Sequence, residues 1–452
     1  MQPTIPPDAS ATFVEEMTTR MADLTHQLSD WVAEAPRTLA EMEAHTLALT
    51  KDLGQALLTG TCQLAASPAP TPQATCTCGQ AVPYLRARTA DVLSVLGLLH
   101  VERPVYWCRA CRRTFAPFDE QTGLCPGSVT AGLDELLALL GAREDSFDDA
   151  AEVLQKLTLV RVCPNLARTA TERLGRVLAA AQQQAVAAAW AGQLPPLPAT
   201  PLARVYLSVD GLLVHTHVGW KELKLGAVYT TVTATSRKRP DKLLIRAHDI
   251  SYVGDITDPE TLGRLLWTEA ARRGVLGAGE VIAIGDGAHW IWNLIEEHFP
   301  QAIQIVDWYH ASQYVWAAAT AVYGAGTDLE QAWAEARLDE LWEGEVGKVL
   351  AAVRATGRTH EAITDAISYL TTHQHRMRYA EYRARGIQIG SGVIESGCNH
   401  VIGARLKQAG MIWNVAGARE VATVRTWLKG RRWDEAMALR PPLRRARHRS
   451  AA

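Results

Sequence analysis

The chain has 452 residues, 48% of them apolar and 21% charged, with a formal net charge of −2. That composition excludes a disordered chain and leaves room for several domains of roughly 100–200 residues. No run approaches the ~18 apolar residues of a membrane span. Met1 to Ser10 lacks the basic and apolar regions of a secretory signal, so a cytoplasmic protein with no membrane partner is expected. The charge is unevenly spread. Ser396 to Ala452 holds 12 Lys/Arg and 3 Asp/Glu, a net of +9, against 34 basic and 45 acidic residues elsewhere, a net of −11. A basic end on an acidic body points to a polyanion or to a solvated tail.

Two proline-rich stretches, Ser67 to Gln73 and Gly192 to Pro201, read as linkers. Ahead of the first, Phe13 to Ala66 is helical. Met17, Met21, Leu24, Leu28 and Trp31 recur there at three- and four-residue spacing, a stripe suited to pairing within the chain or across a dimer. Cys76 to Phe118 reads as a β unit: Leu93, Val95, Leu99, Val101, Val105 and Trp107 keep a two-residue period, broken at Gly97 and Arg103, as in a hairpin. Cys76, Cys78, Cys108 and Cys111 form two close pairs, a pattern that in a cytosolic chain suits a metal better than disulfides. Cys62, Cys125, Cys163 and Cys398 show no ligand spacing and read as ordinary thiols.

Ser128 to Ala189 is helical. Within it, Ser146 to Leu157 and Pro164 to Val177 read as two short helices, either a helix-turn-helix or an ordinary helical hairpin. Asn165, Arg168, Thr169, Glu172 and Arg173 share much of one exposed face. Strands follow the second linker: Val205 to Asp210, Leu223 to Ala234, and Leu243 to Ile250. A helix capped by Asp258 and stopped at Gly274 leads to Val281 to Asp286, a helix from Trp290 to His298, and Ala302 to Asp307. This order predicts a mixed sheet with helices on both faces. Ala311 to Met377 is almost wholly helical, and helix signals resume after Gly392.

Three acids occupy places suited to chemistry. Asp210 ends the first of these strands, Asp286 ends another within Gly285-Asp-Gly-Ala288, and Glu395 follows the glycine-rich turn Gly390-Ser-Gly392. Ligands collect beyond the carboxyl ends of strands in such sheets. Three carboxylates can hold two Mg²⁺ ions, one activating a water or 3′-hydroxyl and the other stabilising the leaving oxygen of a phosphoryl displacement. Each acid also has an ordinary reading, as a turn former or helix cap. Asp307, ending its own strand in Asp307-Trp-Tyr-His310, competes with Asp286, and spacing does not choose between them.

These segments carry a resemblance. Val209-Asp-Gly211, Gly285-Asp-Gly-Ala-His-Trp-Ile-Trp-Asn293, Asp307-Trp-Tyr-His310 and Arg376-Met-Arg-Tyr-Ala-Glu-Tyr-Arg383 come in that order. Gly390-Ser-Gly-Val-Ile-Glu-Ser396 and Gly403-Ala-Arg-Leu-Lys-Gln-Ala-Gly-Met-Ile-Trp413 follow. Together they resemble the DDE transposases of bacterial insertion sequences, specifically the ISKra family, over about Cys76 to Trp433. The resemblance implies a ribonuclease-H-like catalytic core with a helical insertion, and Mg²⁺- or Mn²⁺-dependent DNA strand transfer. Asp210, Asp286 and Glu395 align with the catalytic, metal-holding acids. Asp307 and His310 match a supporting Asp/Cys-x-x-His motif, which favours Asp286 over Asp307. Relatives carry Cys-x-x-Cys-Gly in a zinc-ribbon-like unit. Here Cys76-Thr-Cys-Gly79 is one residue short, with Thr75 where a cysteine is expected, so the ribbon either keeps its zinc or has lost it.

The expected architecture is therefore multidomain α/β. N-terminal helices (1–70) precede a zinc-ribbon-like β unit (74–120) and a helix-turn-helix-like unit (128–190). A ribonuclease-H-like core (203–310 and 378–433) is split by a helical insertion (311–377) and followed by a basic, disordered tail (434–452). Arg168 and Arg173, with Arg405, Lys407, Lys429, Arg431 and Arg432 after the last acid, are expected to meet the phosphates of double-stranded DNA, both element ends and target. Trp413 is expected in the core. A homodimer or larger assembly on nucleoid DNA is implied. The rival functions are a metal-dependent nuclease or resolvase of the same fold, and a DNA-binding regulator with an inactive core.

Overall fold

The computed structural model describes residues 7–66, 70–235 and 243–442. They divide into two compact units, one ending at Thr171 and taking in Arg440, the other spanning Glu172–Leu439.

The first unit opens with two helices of 28 residues each, α1 (Pro7–Glu34) and α2 (Leu39–Ala66), broken where Pro36 cannot continue a helix. Trp31 stacks on His45 across the break, with ring centroids 4.2 Å apart. Strands β1 (Gln73–Thr75), β2 (Ala81–Ser94), β3 (Gly97–Cys108) and β4 (Arg113–Phe115) pair in sequence order. The β2–β3 hairpin turns at Val95-Leu96, where Gly97 takes φ +123°. Helix α2 lies on β3, and Ala66 packs with Leu99, Val101 and Phe118. After α3 (Pro117–Thr122), the short strand β5 (Ser128–Val129) pairs with β2, so this segment is not purely helical as expected. Helices α4 (Ala131–Arg143) and α5 (Phe147–Thr158) are capped by Thr130 and Ser146.

Helix α6 runs from Pro164 to Trp190, twice the length expected from a stop at Val177. No glycine or proline follows Val177 until Gly192, and the intervening Ala/Gln-rich run favours helix.

In the second unit, five strands form one mixed sheet: β6 (Arg204–Thr216), β7 (Gly219–Thr235), β8 (Leu243–Asp255), β9 (Glu280–Gly285) and β10 (Ile303–Val306), ordered β10-β9-β6-β7-β8. The first three pair antiparallel, while β6–β9 and β9–β10 pair parallel. Helix α7 (Pro259–Arg272), with Asp258 as its cap, and α8 (His289–His298) make the two crossovers. Alternation sorts the faces. Val205, Leu207, Val209, Val281 and Ala283 meet Leu262, Leu266, Ile291 and Ile295 of α7 and α8 in one core. The intervening residues, among them Tyr206 stacked on Tyr229, face the other side.

Asp210 does not end its strand. Its parallel pairing with β9 stops at Ser208, but the antiparallel pairing with β7 continues to Thr216↔Gly219, so β6 goes on with it.

Helices α9 (Trp308–Tyr323), α10 (Asp328–Trp342), α11 (Val346–Ala355) and α12 (Glu361–His373) make up the helical segment that follows β10, and α13 (Tyr379–Ala384) comes next. Next come α14 (Gly392–Gly397), a π-turn over Cys398–Gly403, α15 (Ala404–Leu406), α16 (Val415–Lys429) and α17 (Trp433–Ala438). Buried Arg425 of α16 donates to the carbonyls of His400 and Val401, satisfying groups that the π-turn leaves over. Helix α17 corrects the expectation that everything from 434 onward is disordered. Residues 443–452 of that tail lie outside the described residues.

Candidate functional site

Strand register sets the site. The β6–β9 pairing runs Arg204↔Glu280 to Ser208↔Ile284, and β9–β10 runs Ile303↔Ile282 to Val306↔Gly285. Continued by two residues and one residue, the same offsets align Asp210 of β6 with Asp286 and Asp307, the residues just past the ends of β9 and β10, on strands spaced about 4.8 Å apart. Asp210 faces the side away from α7 and α8. Its cross-strand partner is Leu225, and Gly397 of α14 sits so close to Leu225 that a Cβ there would lie 3.1 Å from it. Helix α14 therefore covers the acid face of the sheet and brings Glu395 to it.

Each acid turns one oxygen to a local donor. Asp210 Oδ1 accepts from the Gly211 N–H at 2.7 Å, and Asp286 Oδ1 from the Ala288 N–H at 2.8 Å. Glu395 Oε1 accepts from the Ser391 hydroxyl at 2.5 Å. Burial raises the Asp210 pKa, and the negative charge of Asp286 adds to this, while the Gly211 N–H and the Cys398 thiol oppose it. The Cys398 thiol is itself pushed up by burial and by the charges of Asp210 and Glu395. Asp210, Asp286, Glu395 and Cys398 are thus electrostatic neighbours. They do not, however, form a group whose ligand atoms all lie within 4.8 Å of one another; among the described residues the acid-bearing group that does is Asp307, His310 and Glu395.

Asp307 is wholly buried and caps α9. Burial alone would raise its pKa, but hydrogen bonds from His310 and from the Ser391 N–H hold it below the usual carboxylate range. Its partner His310 is raised, first by that hydrogen bond and then by the charges of Asp307, Asp286 and Glu395. A cleft of about 600 Å³ opens beside these residues, lined by Asp286, His310, Tyr314, Asp365 and Tyr369 among others.

The second cluster lies in the first unit. Cys76, Cys78, Cys108 and Cys111 bring their sulfurs within 4.8 Å of one another, with Cys76 to Cys111 at 3.9 Å and Cys78 to Cys108 at 3.7 Å. A turn in which Gly79 donates to the Cys76 carbonyl, with Gly79 at φ +85°, lets the short Cys-x-Cys arm reach. The Cys78 N–H holds the Cys76 thiol down at about 6, while the neighbouring sulfurs of Cys78 and Cys108 push Cys111 up to about 12. The missing residue does not prevent convergence, and the cluster can hold a metal ion.

Two expected DNA contacts are corrected. Arg405 is 1% exposed, with its guanidinium over the Trp413 ring, so it cannot present its charge at the surface. Arg432 lies over Trp427 and bonds Glu269 and Glu435 at 3.0 Å, which commits it to an internal ion network. Arg168, Lys407, Lys429 and Arg431 are exposed and Arg173 is half-buried. Trp413 is buried, as expected. Cys398, Ser391 and Tyr369 are site neighbours that sequence reasoning passed over. Cys398 and Ser391 stand three and four residues from Glu395, a helical spacing that could have flagged them. Tyr369 carried no such signal.

No protein-family model matches this chain, and no curated protein matches it.

Proposed function

We propose that the protein is a DDE-type DNA transposase that cleaves the 3′ ends of an insertion element and joins them to target DNA. The observation that supports this reading is the β6–β9 register, which runs to Ser208↔Ile284 two residues before Asp210 and Asp286, together with the Cys398 thiol feeling the charges of both Asp210 and Glu395. A mixed sheet with helices on both faces, and a helical segment between β10 and α14, accords with a ribonuclease-H-like core.

Asp210, Asp286 and Glu395 would hold Mg²⁺ or Mn²⁺. The donor set fits, because Asp286 and Glu395 each accept a hydrogen bond at one oxygen only, among the described residues. Bound cations would neutralise phosphate charge and polarise the attacking oxygen. Asp307 fixes the Ser391 turn and the His310 ring, whose Nδ1 it engages. His310 Nε2 is then left to serve the scissile phosphate. Lys407, Lys429, Arg431, Arg168 and Arg173 would neutralise DNA phosphates. The four thiols would hold a structural zinc ion, and α1 and α2 would support assembly.

The test uses DNA flanking the coding region, with its inverted repeats, in cleavage and strand-transfer assays. Asp210→Asn, Asp286→Asn and Glu395→Gln are each expected to lower cleavage on the order of 10³-fold or more while end binding is retained. Normal cleavage by any of the three removes that residue from the site. Cleavage without joining of pre-cut ends replaces the transposase by a nuclease.

A further inference from the structure

Helix α12 of the helical segment reaches Asp286 through a hydroxyl. Tyr369 of α12 donates its O–H to the backbone carbonyl of Asp286 at 2.6 Å. The ring is 8% exposed and stacks on Tyr314 of α9, with centroids 3.8 Å apart and planes 17° from parallel. Gly287 follows Asp286 at φ +106°, and a Cβ there would come within 2.6 Å of the Tyr369 ring. The tyrosine therefore fills the space that any other residue at 287 would need. Asp286 is held from two sides: its carboxylate by the Ala288 N–H, and its carbonyl by α12. A carbonyl held by this hydrogen bond restrains the Asp286–Gly287 peptide, and with it the backbone from which the Asp286 side chain projects.

We infer that Tyr369 is a positioning residue for Asp286, through which α12 sets the cation affinity of the acid site. This rests on reading Asp286 as a metal-holding acid. Groups that orient a ligand from outside typically carry 10- to 100-fold of metal affinity.

The experiment is a Tb³⁺ luminescence titration of the full chain, Tb³⁺ being a hard, oxygen-seeking probe poorly suited to the four thiols. Tyr369→Phe is expected to weaken Tb³⁺ binding about 10-fold or more. The control is Tyr382→Phe, which removes a tyrosine hydroxyl 3.4 Å from the Gln304 carbonyl and is expected to bind Tb³⁺ within about twofold of the wild type. Unchanged affinity in Tyr369→Phe, or equal weakening in both variants, overturns the positioning role. Asp286→Asn separates the two layers. If it binds Tb³⁺ like the wild type, the acid reading falls and the tyrosine's role with it. If it loses Tb³⁺ while Tyr369→Phe does not, only the tyrosine's role falls. Should Tyr369→Phe fail to fold, Tyr314→Leu, which removes the ring supporting Tyr369, is expected to weaken Tb³⁺ in the same direction. Wild-type affinity there overturns the proposal.

Discussion

Asp307 holds Ser391: its Oδ1 accepts the Ser391 backbone N–H at 2.5 Å, and its Oδ2 accepts the His310 N–H at 2.9 Å. The Trp308 N–H donates to the Ile389 carbonyl at 3.0 Å beside it. The end of β10 is thereby tied to the turn that starts α14, and Glu395 sits one helical turn beyond the tie. Asp307 thus serves as an anchor for the turn from which the helix of Glu395 starts.

Replacing Asp307 by alanine should strand the Ser391 and His310 N–H groups in a buried site. Each hydrogen bond to a charged group contributes about 1.5–3 kcal/mol, so a loss of about 3–5 kcal/mol is expected in urea unfolding. Cleavage should fall with it, because Glu395 loses its seat. A stability change under about 1 kcal/mol would show that the turn does not depend on this carboxylate.

Arg405 and Lys407 are two residues apart and should behave oppositely. Lys407→Ala is expected to lower the salt dependence of DNA binding by about one phosphate contact while leaving the melting temperature unchanged. Arg405→Ala is expected to lower the melting temperature, through loss of a buried contact with Trp413, and to leave the salt slope unchanged. Binding measured from 50 to 200 mM salt, alongside thermal melts, decides both.

Metal at the four-cysteine cluster should be seen as stability of the first unit. Chelation, or Cys78→Ser, is expected to lower that unit's melting temperature, because a metal bound only by the folded form adds its binding free energy to folding. Four thiols should become reactive on chelation. Equal thiol reactivity before and after would argue that these cysteines hold nothing.

His373 of α12 is buried and its pKa is lowered to about 4 from an ordinary 6.5, chiefly by burial and then by Arg376. The unfolded chain takes up this proton first as pH falls. Between about 6.5 and 4 the unfolded state thus binds more protons, and this group's effect is to lower stability as pH drops through that window. His373→Gln, whose amide oxygen can still accept from Arg376, should flatten the acid side of the profile of unfolding free energy against pH by at most about 3 kcal/mol. An identical profile for both proteins would remove His373 as a contributor.

Local chemistry was legible residue by residue. Asp258 and Pro259 announce the start of α7, Val281 to Ile284 read as a buried strand, and the cysteine pairs mark a cluster, since caps, apolar runs and ligand spacing act within a few residues. The length of α6 and the continuation of β6 past Asp210 were misread for the same reason in reverse. A strand ends where its partner lets it end, and β7 lies across a turn that the Asp210 segment does not contain.

The order of the acids along the chain, and the residue types able to bind a hard cation, belong to the sequence. Which acid faces the site and which anchors it did not. Asp286 and Asp307 end similar apolar runs; His310 engages Asp307 locally, and packing against the Ser391 turn adds the Ser391 N–H, in a site sealed from solvent. Burial decided the arginines too: Arg405 and Lys407 differ little as charges in a string of letters, yet Trp413 covers only one of them. Contacts between residues eighty apart are set by how sheets and helices close on each other, and no window along the chain contains both partners.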